Sequence, residues 1–151
     1  MDGADQQEWH SAGAHTYRCE SAGTIFFRIS GDIAESHIAI FLDAVGRICD
    51  ANATGHVFCL VDLGGLGSMS SAARKLMART PLKPENKGMA VFGASFLQRV
   101  MVGLVEKATT LVQRNVPPLV FFDSEAEARA WIERRRSKLA LDRRVEKGDH
   151  E

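Results

Sequence analysis

Val57 to Arg74 reads VFCLVDLGGLGSMSSAAR, and the fold turns on how this stretch divides. Val57 to Val61 is wholly apolar. So short a run, valine-rich and followed by a carboxylate and glycines, predicts a strand buried on both faces. Asp62 ends it. Gly64, Gly65 and Gly67 then predict a turn, because glycine accepts positive φ at little steric cost. Ser68, Ser70 and Ser71 precede an apolar-periodic segment, where serine oxygens can satisfy the free N–H groups of a helix start. Strand, glycine turn, serine cluster and helix make one unit of an open α/β sheet. In such sheets, sites gather beyond the carboxyl ends of the strands.

Working outward, His15 to Glu20 and Thr24 to Ile29 are short strand candidates on either side of Ser21-Ala22-Gly23, so a hairpin is predicted. Gly31 and Asp32 close its second strand. Ser36 is placed to cap a helix whose stripe is Ile38, Phe41, Leu42, Val45 and Ile48, ending near Asn52 to Gly55. Downstream of the serines, Ala73, Leu76 and Met77 give the next helix its apolar face, and Pro81 stops it. Gly88 to Phe92 predicts another buried strand. Ser95 caps the helix after it, whose stripe is Leu97, Val100, Met101, Leu104, Val105 and Ala108 and whose end falls between Thr110 and Arg114. That stripe predicts packing on the sheet. Phe96, Val102 and Leu111 lie beyond it, which offers the helix's outer edge as an interface or an apolar pocket. Leu119 to Phe122 is the last strand. Ser124 and Glu127 have capping-box spacing before Ala128, Trp131 and Ile132, and Arg134 to Arg136 suit the helix's end.

The order β-β-α-β-α-β-α-β-α predicts an α/β domain with a mixed, mainly parallel sheet of about five strands. It occupies residues 15–136, between a polar tail (1–14) and a charged, frayed tail (137–151).

The chain has 151 residues, 45% hydrophobic and 25% charged, with 19 basic and 19 acidic side chains. A chain of this length buries about 70% of its unfolded surface, so neither disulfides nor a metal is needed for stability. Nucleic-acid binding calls for a basic excess that the balance does not supply. Cys19, Cys49 and Cys59 show no C-x-x-C spacing, which predicts reduced thiols in a cytoplasmic protein. The first residues, MDGADQQEWH, have no signal-peptide pattern, and no apolar run approaches the ~20 residues of a membrane span.

Catalytic signatures are missing. GGLGS lacks the lysine of a phosphate-binding loop, and G-x-S-x-G does not occur. Asp62 has no second acid placed beside it by the sequence, and its expected role is to cap the turn. His10, His15, His37, His56 and His150 have no metal-ligand spacing and are expected to be solvated or at strand edges. No catalytic set, cofactor or metal is predicted.

Three pieces, read together, resemble the STAS domains, the fold of bacterial anti-sigma-factor antagonists. Gly31-Asp32-Ile33 is similar to the family's G-E-L or G-D-L turn. Leu63 through Leu76 is similar to its strand–loop–helix segment, which commonly carries D-S-S-G. FFDSEAEARAWI, Phe121 to Ile132, resembles its final strand and helix. The resemblance covers roughly Thr16 to Arg135. It implies a non-enzymatic module that binds an anti-sigma-factor or kinase-like regulator through the serine loop, here Asp62, Ser68, Met69, Ser70 and Ser71. An ungapped alignment puts Ser71 on the family's first serine and Ala72 on its phosphorylated one; a one-residue slip of that alignment makes Ser71 the phosphate acceptor that the resemblance implies. The last helix also resembles a second branch, grouped with lipid-binding domains, which implies an apolar small molecule or lipid as the alternative ligand.

Overall fold

The computed structural model describes residues 8–20, 23–52 and 55–148. Six strands and four helices run in the order β1 (His10–Ala12), β2 (His15–Glu20), β3 (Thr24–Ile33), α1 (Glu35–Ala51), β4 (Val57–Met69), α2 (Ser71–Arg79), β5 (Asn86–Phe92), α3 (Phe96–Val112), β6 (Leu119–Phe122) and α4 (Glu125–Gly148). The strands lie side by side in chain order. β1, β2 and β3 are antiparallel, and β3 to β6 are parallel. The α/β architecture and the mixed sheet agree with the sequence reading, with one strand added. His10–Ala12, expected to be tail, pairs with β2 through His10↔Tyr17 and Ala12↔His15. Ser21 and Ala22, assigned to the hairpin turn, lie outside the described residues, as do residues 1–7, 53–54 and 149–151.

Alternation along the strands divides the core in two. Ile25, Phe27, Val57, Cys59 and Val91 face α1, α2 and α3, which supply Ile38, Phe41, Ala73 and Val102. Phe26, Phe58, Leu60 and Ala90 face the other way and meet Ala128 and Ile132 of α4. α4 lies over β4, β5 and β6. Nearer β2 and β3, Trp9 covers Phe26 at 5.7 Å between ring centroids, with the Arg18 and Arg28 guanidiniums 4.6 and 4.8 Å from its ring.

Charged residues that look solvated in sequence fasten α4 to the sheet. Arg129 binds Glu20 through two parallel bonds of 2.7 and 3.0 Å, the geometry that suits guanidinium to carboxylate. Arg129 holds the Glu20 carboxyl below its usual range. Arg135 donates to the Lys87 carbonyl at 2.9 Å, and Arg136 to the His56 carbonyl at 3.1 Å and the Thr24 hydroxyl at 2.8 Å. The arginine run therefore sits mid-helix, not at a helix end. The charged stretch from Ser137 continues α4 to Gly148. Cys49 and Cys59 are buried, and burial pushes their thiols up to about 11 and about 12.

α1 starts two residues earlier than a Ser36 cap would place it. Ala34 is its N-cap, and the His37 ring accepts the Ala34 N–H at 3.0 Å in place of a serine cap.

Candidate functional site

The glycine stretch is strand, not turn. β4 continues through Gly64, Gly65 and Gly67 to Met69, paired with β3 alone beyond Asp62↔Phe92. From Arg28 to Ser30 on β3, the partner moves from Asp62 to Gly65; from Gly31 to Ile33 it moves from Leu66 to Met69. β4 gains one residue at each step, which makes two bulges and bends the strand across the carboxyl end of the sheet.

None of these three glycines has positive φ. Close approach explains two of them. A Cβ on Gly65 would stand 2.6 Å from the Ile29 carbonyl oxygen, and one on Gly67 would meet the Asp32 carboxylate. The positive φ falls on β3, where Gly31 takes 83° and turns Asp32 toward β4.

Asp32 organises the serine segment. Its carboxylate accepts the Ser68 N–H at 2.8 Å, a contact across 36 positions. The Ser68 backbone, helped by its hydroxyl, holds Asp32 below the usual carboxylate range. Ser70 N–H donates to the Ile33 carbonyl at 3.0 Å, and the Ser70 hydroxyl oxygen accepts the Ala73 N–H at 3.1 Å as the N-cap of α2. On the free edge of β4, the Gln98 amide donates to the Leu66 carbonyl at 2.9 Å. The segment is thus held on both sides, while Ser68, Ser70, Ser71 and Ala72 stay exposed.

Beneath it lies His15, 1% exposed, a core residue and not the solvated histidine expected. Its Nδ1 accepts the Ser30 N–H and its Nε2 donates to the Asp32 carbonyl, both at 2.9 Å. The ring therefore carries one proton and braces the bulge that presents Asp32. Burial, with His37 4.7 Å away, holds its pKa below 6.5. The neutral ring then favours folding fully above pH 6.5, and that contribution is lost as pH falls from 6.5 through the lower folded value. Urea denaturation is expected to show a lower midpoint at about pH 5.5 than at about pH 7.5, and His15→Asn is expected to reduce the difference, with His56, whose pKa burial also lowers, keeping the remainder.

The structure separates the residues that the sequence groups as one site. Ser68, Ser70 and Ser71 come together around Asp32 and the start of α2. Met69 turns inward to pack against the core and wall an apolar cavity, so it leaves the outward face. Asp62 accepts the Gly64 N–H at 2.9 Å, a local backbone bond made within the strand and not at the turn expected. Asp32 and Gln98 join the site only in the folded chain, since nothing in the sequence ties them to Ser68 or Leu66. The only local signal is the G-D-I motif. Ser70→Ala removes a cap and is expected to lower stability by about 1 kcal/mol. Ser71→Ala is expected to change it by less than about 0.5 kcal/mol. Thermal denaturation of the pair separates structural serine from presented serine.

The apolar cavity, about 110 Å³, lies between the sheet and the three helices. Phe27, Phe41, Met69, Met77, Met89 and Val102 are among its walls, and no charged side chain lines it. Among the described residues no His, Cys, Asp or Glu group could hold a metal ion, and no helix is long and apolar enough to cross a membrane.

A mixed sheet whose strands follow chain order, parallel from β3 to β6, three helices on one face, and a serine segment bent across the parallel strands' carboxyl ends define a STAS-type domain. Residues 24–133 match the SpoIIAA-like family, and the chain belongs to it. Among solved structures it is similar to an uncharacterised protein of the DUF3478 family with a SpoIIAA-like fold from Shewanella loihica PV-4. That likeness has 16% identity, covers 82% of this chain and 90% of that one, and has a TM-score of 0.51. It is also similar to the anti-sigma factor antagonist SpoIIAA in its unphosphorylated form, with 14% identity, 80% and 98% coverage and a TM-score of 0.52. At these identities the likenesses concern the fold. No match was found among curated protein sequences.

Proposed function

We propose that this chain is a regulatory binding module that receives a partner protein on the Ser68–Ser71 segment and acts by binding, not by catalysis. One observation carries the reading. The segment is fixed from below by Asp32 and Ser70 while its hydroxyls stay exposed. A surface ordered before binding loses less conformational entropy when a partner docks. Against a hydrolase reading, both nitrogens of His15, the imidazole that braces the Asp32 segment, are committed to backbone groups, and Asp32 is committed to Ser68.

Ser71 is the position at which charge would alter this surface. It is the first residue of α2 and is exposed. A phosphate there would add about two negative charges beside the positive end of the helix dipole. Arg74 and Lys75, also exposed, stand three and four residues on, one turn away. The added charge would therefore change what docks without unfolding the domain. The partner expected is a regulator of the anti-sigma-factor or kinase class, met in the cytoplasm, where buried thiols remain reduced.

The test is affinity capture from native lysate with wild type, Ser71→Asp and Asp32→Ala. A partner held by wild type and lost by Asp32→Ala supports the site, and its loss on Ser71→Asp supports charge control. A partner indifferent to both changes, or no reproducible partner, overturns the reading.

The cavity favours a second reading, an apolar ligand. Its size sets a limit, because a well-studied engineered cavity of about 150 Å³ takes a guest no larger than benzene or xenon. A space of about 110 Å³ excludes an acyl chain in this conformation and leaves room for a smaller apolar guest. Native mass spectra free of any bound molecule across several preparations would set this reading aside.

A further inference from the structure

The end of the sheet away from the serine segment gathers positive charge around one histidine. His56 immediately precedes β4, beneath the second half of α4. Residues 133–147 carry seven basic and three acidic side chains. Arg136 is fixed there by its bonds to the His56 carbonyl and the Thr24 hydroxyl, which tie together the starts of β3 and β4. Ile132, Arg136, Leu139 and Arg143 follow at steps of four, three and four, so they share the side of α4 that Ile132 and Leu139 press onto the sheet. β5 supplies a further cation. Val57 pairs with Asn86 and Phe58 with Gly88, which leaves Lys87 as the extra residue of a bulge, a device that re-aims a side chain. Its carbonyl accepts Arg135 Nε at 2.9 Å.

Two observations point to a ligand. The first is the charge balance. Burial, then Lys87, Arg143 and Arg136, hold the His56 pKa below 6.5, and among the described residues the charges acting on it are all positive. Glu133, 3.8 Å from Arg136 Nε, is 70% exposed, and the Glu85 carboxylate acts instead on Cys49 and Lys83. Cations held together in this way repel one another, and an anion seated among them removes the repulsion. The second is the ring itself. His56 Nδ1 is buried with no hydrogen-bond partner among the described residues, a rare and destabilising condition. Positive surroundings favour a lone pair on that enclosed nitrogen. The proton of the neutral ring then sits on Nε2, where it can be donated.

We infer that His56, Lys87 and Arg143 form a binding site for a phosphate group, free or as a monoester. His56 Nε2–H donates to one oxygen, and the Lys87 ammonium and Arg143 guanidinium meet the others. Arg136 is a positioning residue, since its guanidinium is committed to the strand starts. Two cations match the roughly double charge of a phosphate better than the single charge of a carboxylate. The site lies at the opposite end of β4 from Ser68–Ser71, so it stands apart from the role of that segment.

The test is proton NMR of the His56 ring on the full chain, with His56→Gln assigning the signal. Sodium phosphate and glycerol 3-phosphate are titrated in turn against sodium chloride of equal ionic strength. A saturable shift is expected, with a dissociation constant on the order of 1 mM. The His56 pKa is expected to rise by about half a unit or more, because a bound anion favours the charged ring. Tighter binding of glycerol 3-phosphate assigns the site to an ester, and tighter binding of phosphate to the free ion. Lys87→Gln and Arg143→Gln are each expected to weaken binding about tenfold. Lys87→Gln keeps the carbonyl that Arg135 holds, so its circular dichroism should match wild type even if Arg143→Gln fails to fold. No saturable response to either phosphate at about 50 mM overturns the inference. So does a response that folded Lys87→Gln retains in full.

Discussion

Phe58→Ala is expected to lower the free energy of unfolding by about 3–5 kcal/mol. Phe58 is 0% exposed on β4, the sheet's long inner strand, and packs edge-on to Trp131 of α4 at 6.4 Å. The Arg136 guanidinium lies over its ring at 5.0 Å. Truncation would open a cavity between sheet and helix and remove the surface on which Arg136 rests. For a chain of this length each kcal/mol shifts the melting temperature by about 2–4 °C, so a fall of roughly 10 °C is expected by calorimetry. Domains of this kind hold only about 5–15 kcal/mol in total. A loss below about 1 kcal/mol would mean that α4 is not part of the cooperative unit.

Gly65→Val is expected to have the next largest effect, about 3 kcal/mol, and to act on site and stability together. Its Cβ would fall 2.6 Å from the Ile29 carbonyl, a backbone atom held in the β3–β4 ladder, so the strands must part at the bulge. Hydrogen exchange is expected to accelerate at the Ser68 and Ser70 amides, the former held by Asp32 and the latter by Ile33. Binding to any partner of the serine segment should fall with it. Gly103→Ala, where open space receives the methyl group, is expected to raise protomer stability by up to about 1 kcal/mol. The pair separates a glycine required by close approach from one that the protomer does not need.

Local chemistry is legible in the sequence. Ser95 caps α3 with Gln98 completing the box, and Ser70 caps α2. Pro81 follows the end of α2, and the apolar runs at β4 and β6 are strands. Local reading fails where a long-range contact decides. Gly65 and Gly67 look like a turn because Ile29 and Asp32, which crowd them, are about 35 positions away. His15 looks solvated because its two partners, Ser30 and Asp32, lie across a hairpin. The α3 stripe suggests a core face because periodicity reveals that a helix has an apolar side without revealing which way it points. Of that stripe Val105 is buried, joined by Val102 from beside it, while Leu97, Val100 and Leu104 stay exposed. At the candidate site the serines are legible as helix-start residues, whereas Asp32, which holds Ser68 in place, is not.

The side-by-side order of the strands bears on how the chain is made. No strand inserts between two older ones, so during synthesis each strand from β2 onward leaves the ribosome with its neighbour already present. Every crossover spans a single helix. Each parallel pairing closes over a whole crossover, Thr24 meeting Phe58 and Met89 meeting Leu119, so pairing waits on the helix between, and the sheet can grow from its N-terminal end as the polypeptide lengthens. α4 emerges last. Until it does, Phe58, Leu60 and Ala90 remain uncovered on one face of a sheet already closed on the other. The interval before α4 docks is therefore the stage at which a nascent copy of this protein most needs shielding from aggregation.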